Sequence, residues 1–437
     1  MNKAIIIGGG LAGTEAALQL AKRQINVDLY EMRPEKTTGA HSTGDLGELV
    51  CSNSLGSNDV NSASGLLKEE LRRLGSFLIE FADETAVPAG SALAADRTLF
   101  AEKVTSAIND NPYINLIKKE ITHIPTDTPV IVASGPLTSE LLTQEIIKFT
   151  GTDNFYFFDA IAPIVEKDSI NFEKAFWANR YNKGETSYIN CPMDKEEYEI
   201  FYEKLINSPV IELKDFEKNA KFFESCLPVE VLGKRGKDTL RYGPLKPVGL
   251  IDERTNKQNY AVVQLRQDNK AATLYNLVGF QTNLKWSAQK ELIKCIPGLE
   301  NAEIVRYGVM HRNTFIHSPS ILTPGLQTHK RNDLFFAGQI TGVEGYTESI
   351  ATGLLAGINA SRLIEKKEIL ILEPVSMLGA LCSYIAHPEH KKFQPVNSNW
   401  GIIEPLEIKL KGRKNKDEKK KLCSERALSY INLLRGS

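Results

Sequence analysis

At 437 residues, 42% hydrophobic and 24% charged, with a formal net charge of −1, the chain is long enough for two or three domains and has the ordinary composition of a soluble globular protein. The near-zero charge excludes a global field that gathers nucleic acid, so any nucleic-acid contact must rest on a local patch. Apolar runs fall far short of the roughly 20 residues of a membrane span, there is no signal-peptide cleavage pattern, and Cys51, Cys191, Cys226, Cys295, Cys382 and Cys423 include no CxxC pair and fit neither a zinc site nor a disulfide scaffold; a cytoplasmic protein without a metal is expected.

Residues 3–7, Lys-Ala-Ile-Ile-Ile, read as a buried strand. Gly8, Gly9, Gly10, Leu11, Ala12 and Gly13 follow, with glycines at the GxGxxG positions 8, 10 and 13 and good helix formers from Thr14 to Arg23. A second strand, residues 27–30, ends in Glu31, 18 residues beyond Gly13. Each residue type has a physical reason. Gly8 turns the chain sharply, Gly10 leaves the backbone open to a pyrophosphate, and Gly13 lets helix pack on strand. The helix start offers unpaired N–H groups to phosphate, and Glu31 is placed to accept both ribose hydroxyls. Arg33 either reaches the adenosine or phosphates or is solvated.

A small, polar loop covers residues 35–47, and Cys51 follows in Glu48-Leu49-Val50-Cys51-Ser52-Asn53-Ser54-Leu55. Ser62 or Ser64 caps a helix predicted over 65–81, with Lys68, Glu69, Glu70, Arg72 and Arg73 on its solvated face. A further helix starts at Asp96-Arg97, and strands are predicted at 114–117, 121–124 and 130–133; together these give a parallel, doubly wound sheet. The texture changes near residue 159, with strands, turns and helices that read as an inserted domain. It includes a hairpin-like turn at 254–257 before a strand over 260–265. The nucleotide-binding texture returns at 333–342 and continues in a helix over 346–365, rich in small residues suited to close packing on the sheet. Residues 374–437 look largely helical and carry Lys or Arg at 409, 411, 413, 414, 416, 419, 420 and 421.

These strands and glycine turns, with Phe335-Phe336-Ala337-Gly338, resemble the FAD-binding fold of the glutathione-reductase type, in which the late helix points its start at the flavin. The chain further resembles the folate- and FAD-dependent tRNA (uracil-C5) methyltransferase family, over essentially its whole length. The stretches are 8–17, Leu29 to Pro34, Glu48 to Leu55, Ala162 to Glu166, Val263 to Arg266, Gly279 to Thr282, Tyr307 to Thr314 and Ala337 to Tyr346. The resemblance implies an α/β, glutathione-reductase-type FAD-binding Rossmann fold with an inserted α+β domain and a helical C-terminal region. The FAD-binding domain would be discontinuous, residues 1–160 and 305–437 (374–437 being the helical region), with the insertion at 161–304.

It also implies the reaction. Methylenetetrahydrofolate donates the carbon, FAD reduced by NAD(P)H supplies the electrons, and 5-methyluridine forms in the T-loop of tRNA. Uracil C5 is a poor nucleophile. A thiolate adding to C6 activates it, carbon is captured, the C5 proton leaves, and hydride reduces the exocyclic methylene. Cys226 is by resemblance the nucleophile and Cys51 a base or relay near the flavin, or the two exchange roles. A thiol with pKa near ~8.5 needs a nearby cation or helix start; Lys234 and Arg235 are candidates for Cys226. Gly338, Gln339 and Gly342 are expected at the flavin, His311 and Arg312 at folate or flavin, and Trp286 and Tyr346 either stack on a pterin or base or belong to the core. The C-terminal basic run and Lys234-Arg235-Gly236-Lys237 are either RNA contacts or solvated faces. Rival readings keep the same chemistry on ribosomal RNA, a flavin-bound RNA-binding protein without turnover, or a plain flavin oxidoreductase.

Overall fold

The glycine corner sits at the head of a parallel sheet. In a computed structural model, which describes residues 2–151, 155–160, 162–182, 186–211, 227–252, 254–255, 258–308, 310–390, 393–407 and 415–435, β1 (Lys3–Ile7) enters α1 (Leu11–Ala21) and the chain returns as β2 (Asn26–Glu31). Then come β3 (Ser54–Ser57), α2 (Ala63–Leu74), α3 (Phe77–Glu84), β4 (Ala86–Val87), β5 (Ala92–Ala95), α4 (Arg97–Asn109), β6 (Ile114–Lys118), β7 (Val130–Val132) and α5 (Glu140–Thr150). After β8 (Phe155–Ala160) a different unit runs through β9 (Ile164–Glu166), β10 (Phe176–Trp177), β11 (Tyr188–Met193), α6 (Lys195–Asn207), α7 (Val229–Lys234), α8 (Thr239–Tyr242), β12 (Ala261–Gln267), β13 (Leu274–Leu277), α9 (Trp286–Ile293) and β14 (Ile304–Arg306). The chain then rejoins the first unit as β15 (Met310–Phe315), α10 (Ser318–Ile321), β16 (Leu334–Phe336), α11 (Tyr346–Ile364), α12 (Met377–Ile385) and α13 (Asn415–Arg435).

The first sheet has the order β16-β7-β1-β2-β6, parallel throughout. β7 and β16 are buried on both faces, which is why they read as unbroken apolar runs. The small residues of α11 do bring it close, but chiefly to α1. A Cβ on Gly353 would lie 2.3 Å from the Ala12 carbonyl oxygen, and one on Gly357 2.8 Å from that of Ala16. The second sheet, order β10-β11-β12-β13-β9-β14, is antiparallel. Along β12 the side chains alternate: Ala261, Val263 and Leu265 enter the second core, and Gln264 and Arg266 take the opposite face. The ribbon of β8 with β15 joins the two units.

Three expectations need correction. The helix predicted over 65–81 is two helices, broken where Gly75 takes φ +75 as a left-handed cap and Ser76 starts α3. The buried Glu15 carboxylate, which accepts from Ser76 Oγ and the Leu78 N–H (each 2.9 Å), holds that break. No strand forms at 121–124; Ile121 and Ile124 instead bury against the edge of the parallel sheet. Lys68 and Glu70 are fully buried, not solvated. Lys68 Nζ donates to the Leu55 carbonyl (2.7 Å) and Ser64 Oγ (2.9 Å), while Glu70 accepts from the Met377 and Leu378 N–H groups of α12. The C-terminal helices α12 and α13 are separated by turns and extended chain over the described residues from 387 to 407. Among the described residues no helix is long and apolar enough to cross a membrane.

Candidate active site

A cleft opens at the carboxyl ends of β1, β2 and β7, the place where parallel α/β sheets receive nucleotides. The glycines there divide by cause. Gly8, at φ +109, has no room for a side chain, since a Cβ would lie 2.4 Å from the Ala133 carbonyl oxygen; one on Gly13 would lie 1.8 Å from that of Gly8. A Cβ on Gly10 would meet nothing within 4 Å. Its open side belongs to the cleft, which Gly8, Gly10, Leu11 and Ala12 line. Gly9 backs onto Leu46 and Glu31 instead. The start of α1 has no side-chain cap, so its first N–H groups are left for an anion. The residues present therefore fit a dinucleotide diphosphate.

Glu31 lines the cleft with its carboxylate nearly buried. Oε2 accepts from the Gly9 N–H (2.8 Å), and Oε1 from the Arg33 N–H (3.0 Å) and Nε (2.9 Å). Burial alone would raise its pKa, but the Arg33 guanidinium and these donors outweigh it and hold the carboxyl below its ordinary value. Three of roughly four lone-pair positions are thus taken, which leaves room for one ribose hydroxyl where two were expected. Arg33 is 2% exposed, which removes the solvated alternative, and it also reaches Thr43 O and Glu48 Oε2, both at 3.3 Å. Glu48 in turn accepts from Ser42 and Thr43, backbone and hydroxyl alike. This folds the polar loop over the cleft wall and places His41 on it. Burial and Arg33 push the His41 pKa down to about 4, so its ring is neutral at physiological pH and bonds Thr38 Oγ1 at 2.6 Å.

The far wall is the entry to α11. Gly338, Gln339, Tyr346 and Ser349 line the cleft. Gly342 does not: at φ +83 its missing side chain makes room for the Phe393 ring, 2.4 Å from a would-be Cβ. The Tyr346 hydroxyl accepts from the backbone N–H of Cys51 (2.7 Å) and of Ser52 (3.1 Å), which ties the partly buried Cys51 to a residue of the cleft wall, although Cys51 does not itself line the cleft. Burial raises the Tyr346 pKa, so the phenol stays protonated.

Behind Cys51 the chain is locked to the second sheet. Asn53, fully buried, donates to the Gln267 carbonyl (2.9 Å) and accepts from Arg266 Nε and Asn276 Nδ2, each at 3.1 Å. Arg266 also donates to Ser52 Oγ at 2.6 Å. Arg97 pairs with Asp268 at 3.0 Å and donates to the Leu49 carbonyl. Arg266, Asn276, Asp268 and Arg97 are site-supporting residues that sequence reasoning missed. The only signal was the unusual stretch Val263 to Arg266, and the partners of Arg266 in the Cys51 segment, Ser52 and Asn53, lie more than 200 positions away.

The remaining expectations divide. Cys226 lies outside the described residues, as do Lys409, Lys411, Arg413 and Lys414 of the basic run. His311 and Arg312 are placed by backbone alone, in β15 opposite Asp159 and Phe158. Trp286 is 58% exposed, stacked on Tyr307 at 5.4 Å, and does not line the cleft. Cys191, Cys382 and Cys423 are buried, and burial pushes each thiol pKa up.

Residues 3–368 match the model of the glucose inhibited division protein A family, GIDA. The methylenetetrahydrofolate–tRNA-(uracil-5-)-methyltransferase TrmFO of Halalkalibacterium halodurans is 56% identical over 413 residues, 94% of each chain. The protein of that name from Bacillus mycoides is 56% identical over 426 residues, 98% of this chain and 97% of its own. The chain belongs to the TrmFO family. In fold it is similar to Aquifex aeolicus GidA, seen in two crystal forms, with a TM-score of 0.69 at 18% identity over 99% of this chain and 75% and 78% of the GidA chains. The TrmFO-family cleft is thus that of a glutathione-reductase-type FAD-binding Rossmann fold, walled on one side by the α11 entry and on the other by the Glu48 loop.

Proposed function

We propose that this chain methylates C5 of uridine in the T-loop of tRNA, with methylenetetrahydrofolate as carbon donor and FAD, reduced by NAD(P)H, as reductant, in the cytoplasm. The observation that carries the reading is the tether of Cys51 to Tyr346 at the wall of a cleft whose other end is bare backbone. When bound, FAD supplies the hydride that completes the methyl group. The α1 start and Gly10 hold its diphosphate, Glu31 takes a ribose hydroxyl, and Gly338 and Gln339 face its ring end. We assign attack on uracil C6 to Cys226 and removal of the C5 proton to Cys51, the exchanged assignment being the alternative. The FAD-binding unit is residues 1–160 and 305–437, and the insertion 161–304. His311 and Arg312 are assigned to folate or flavin, Trp286 to a pterin or base, and Tyr346 to orienting Cys51.

Purified chain with labelled methylenetetrahydrofolate, NAD(P)H and, in separate reactions, tRNA and ribosomal RNA transcripts tests this. Label in tRNA uridine is the expected result. Label confined to ribosomal RNA would overturn the tRNA assignment, and flavin without any label would overturn methyl transfer altogether.

A further inference from the structure

We infer that the outer face formed by α8, the segment after it to residue 252, and the facing residues 180–181 is a platform that docks tRNA, with tyrosines stacking on unpaired bases and cations holding phosphates. This rests on the tRNA reading above and adds the surface.

The first observation is exposure on a rigid footing. Tyr242 is 82% exposed, Tyr181 60% and Ile251 55%. Their neighbours Leu240, Leu245 and Leu250 are fully buried, and the Val262 N–H donates to the Leu245 carbonyl at 3.1 Å, so the segment is rooted on β12. The two stretches are one face. The Tyr181 N–H donates to Gly249 O and Arg180 to Val248 O, each at 2.8 Å. The Tyr181 ring lies 2.8 Å from where a Gly249 Cβ would stand. Flat, anchored aromatic rings open to solvent suit splayed loop nucleotides, which every base can satisfy through its π face.

The second observation is charge. Residues 234–254 carry six cations and three acids in a chain of net charge −1. Asp238 is bound to Arg241, Asp252 to Arg254, and Lys237 to Glu199 outside the stretch, all by 2.7–2.8 Å contacts. Among the described residues no acid lies within ion-pair distance of Lys234, Lys246 or Arg180. A polyanion is the partner that uses such a surplus; an apolar protein surface leaves it uncompensated. Continuity places the platform downstream of the proposed nucleophile, for α7 begins three residues after Cys226 and leads directly into α8.

Full-length, FAD-loaded protein is titrated with fluorescent tRNA transcript at several salt concentrations, and flavin reduction by NAD(P)H is recorded beside it. Tyr242→Ala should weaken tRNA about tenfold and raise KM for tRNA more than it lowers kcat, whereas Tyr242→Phe should bind like the parent. Lys234→Ala with Lys246→Ala should lower the salt slope by about two. Flavin absorbance and reduction should be unchanged in all. Parental affinity and salt slope in Tyr242→Ala and the lysine pair, alongside tight parental binding, would overturn the platform and leave methyl transfer standing. A parent chain that binds no tRNA would overturn both.

Discussion

The cleft and the joint behind Cys51 are built from different materials. At the diphosphate end of the cleft the contacts are main chain: the bare edge of Gly10, the uncapped start of α1 and the turn at Gly8. At the joint they are side chains. Asn53, Arg266, Asn276, Asp268 and Arg97 come from both units and bond to one another. A main-chain site tolerates no change in which residue is a glycine. A side-chain site tolerates no change in what its partners are.

The sharpest way to break that contrast is at the glycines. Gly10→Val places its branches only in cleft space, so the chain should fold and lose its flavin, with methylation falling at least 1000-fold, on the order of a lost positioning contact set. Gly13→Val should fail to accumulate as folded protein, because a Cβ there lies 1.8 Å from the Gly8 carbonyl oxygen. A yellow, active Gly10→Val protein would show that Gly10 does not face the cofactor. Next are the thiols. Cys226→Ala and Cys51→Ala should each retain flavin and each lose methyl transfer by about 1000-fold or more, as expected of groups that act on the reacting atoms. Full activity in either, measured by label transfer to tRNA, would remove that cysteine from the mechanism.

The same contrast decides what could be read before the fold was seen. The cleft was legible because a main-chain site forces glycine at fixed spacing, and Gly8, Gly10 and Gly13 sit within six residues. The joint was not, because Asn53 and Arg266 are 213 positions apart and neither type is rare at a surface. Lys68 and Glu70 misled for a related reason. On α2 they look like a solvated stripe, and only the fold-back of Leu55 above one and α12 above the other buries them. The break at Gly75 was hidden because the leucines continue at helical spacing across it, while the cause, Glu15, lies 60 residues upstream. Gly342 shows the converse: a glycine in a nucleotide-binding stretch that is there for Phe393.

Arg266→Met probes the joint itself. The arginine is buried, and its pKa is lowered by that burial and by Arg97. Replacing it with an apolar side chain of similar length leaves Ser52 Oγ and one acceptor position on Asn53 without their donor, at a cost of about 3 kcal/mol. The loss should appear as a lower thermal midpoint together with reduced methyl transfer, because the Cys51 segment is freed from the second sheet. Flavin content should stay at the parental level, since the cleft does not use this contact. Loss of flavin in this variant would mean that the two regions are not independent.

Glu70 offers the smallest and most specific test, a side-chain joint whose strength depends on pH. Its two oxygens accept from Met377 N (2.7 Å) and Leu378 N (2.9 Å), and Ser376 takes the next N–H, so the first turn of α12 is fully satisfied. Burial raises its pKa from 4.5 to about 7, against the pull of those two N–H groups. The folded chain therefore holds this proton more tightly than the unfolded chain does. Its stabilising contribution is complete below about pH 4.5, declines as pH rises through the window from 4.5 to 7, and is lost above it. The full difference is about 3 kcal/mol. Comparing thermal midpoints from pH 5 to pH 8 should show a steeper fall in the parent than in Glu70→Gln, whose amide stays neutral throughout. The difference between the two curves isolates this residue from every other titrating group, and equal slopes would mean that Glu70 carries the same charge in α12's grasp as it does in water.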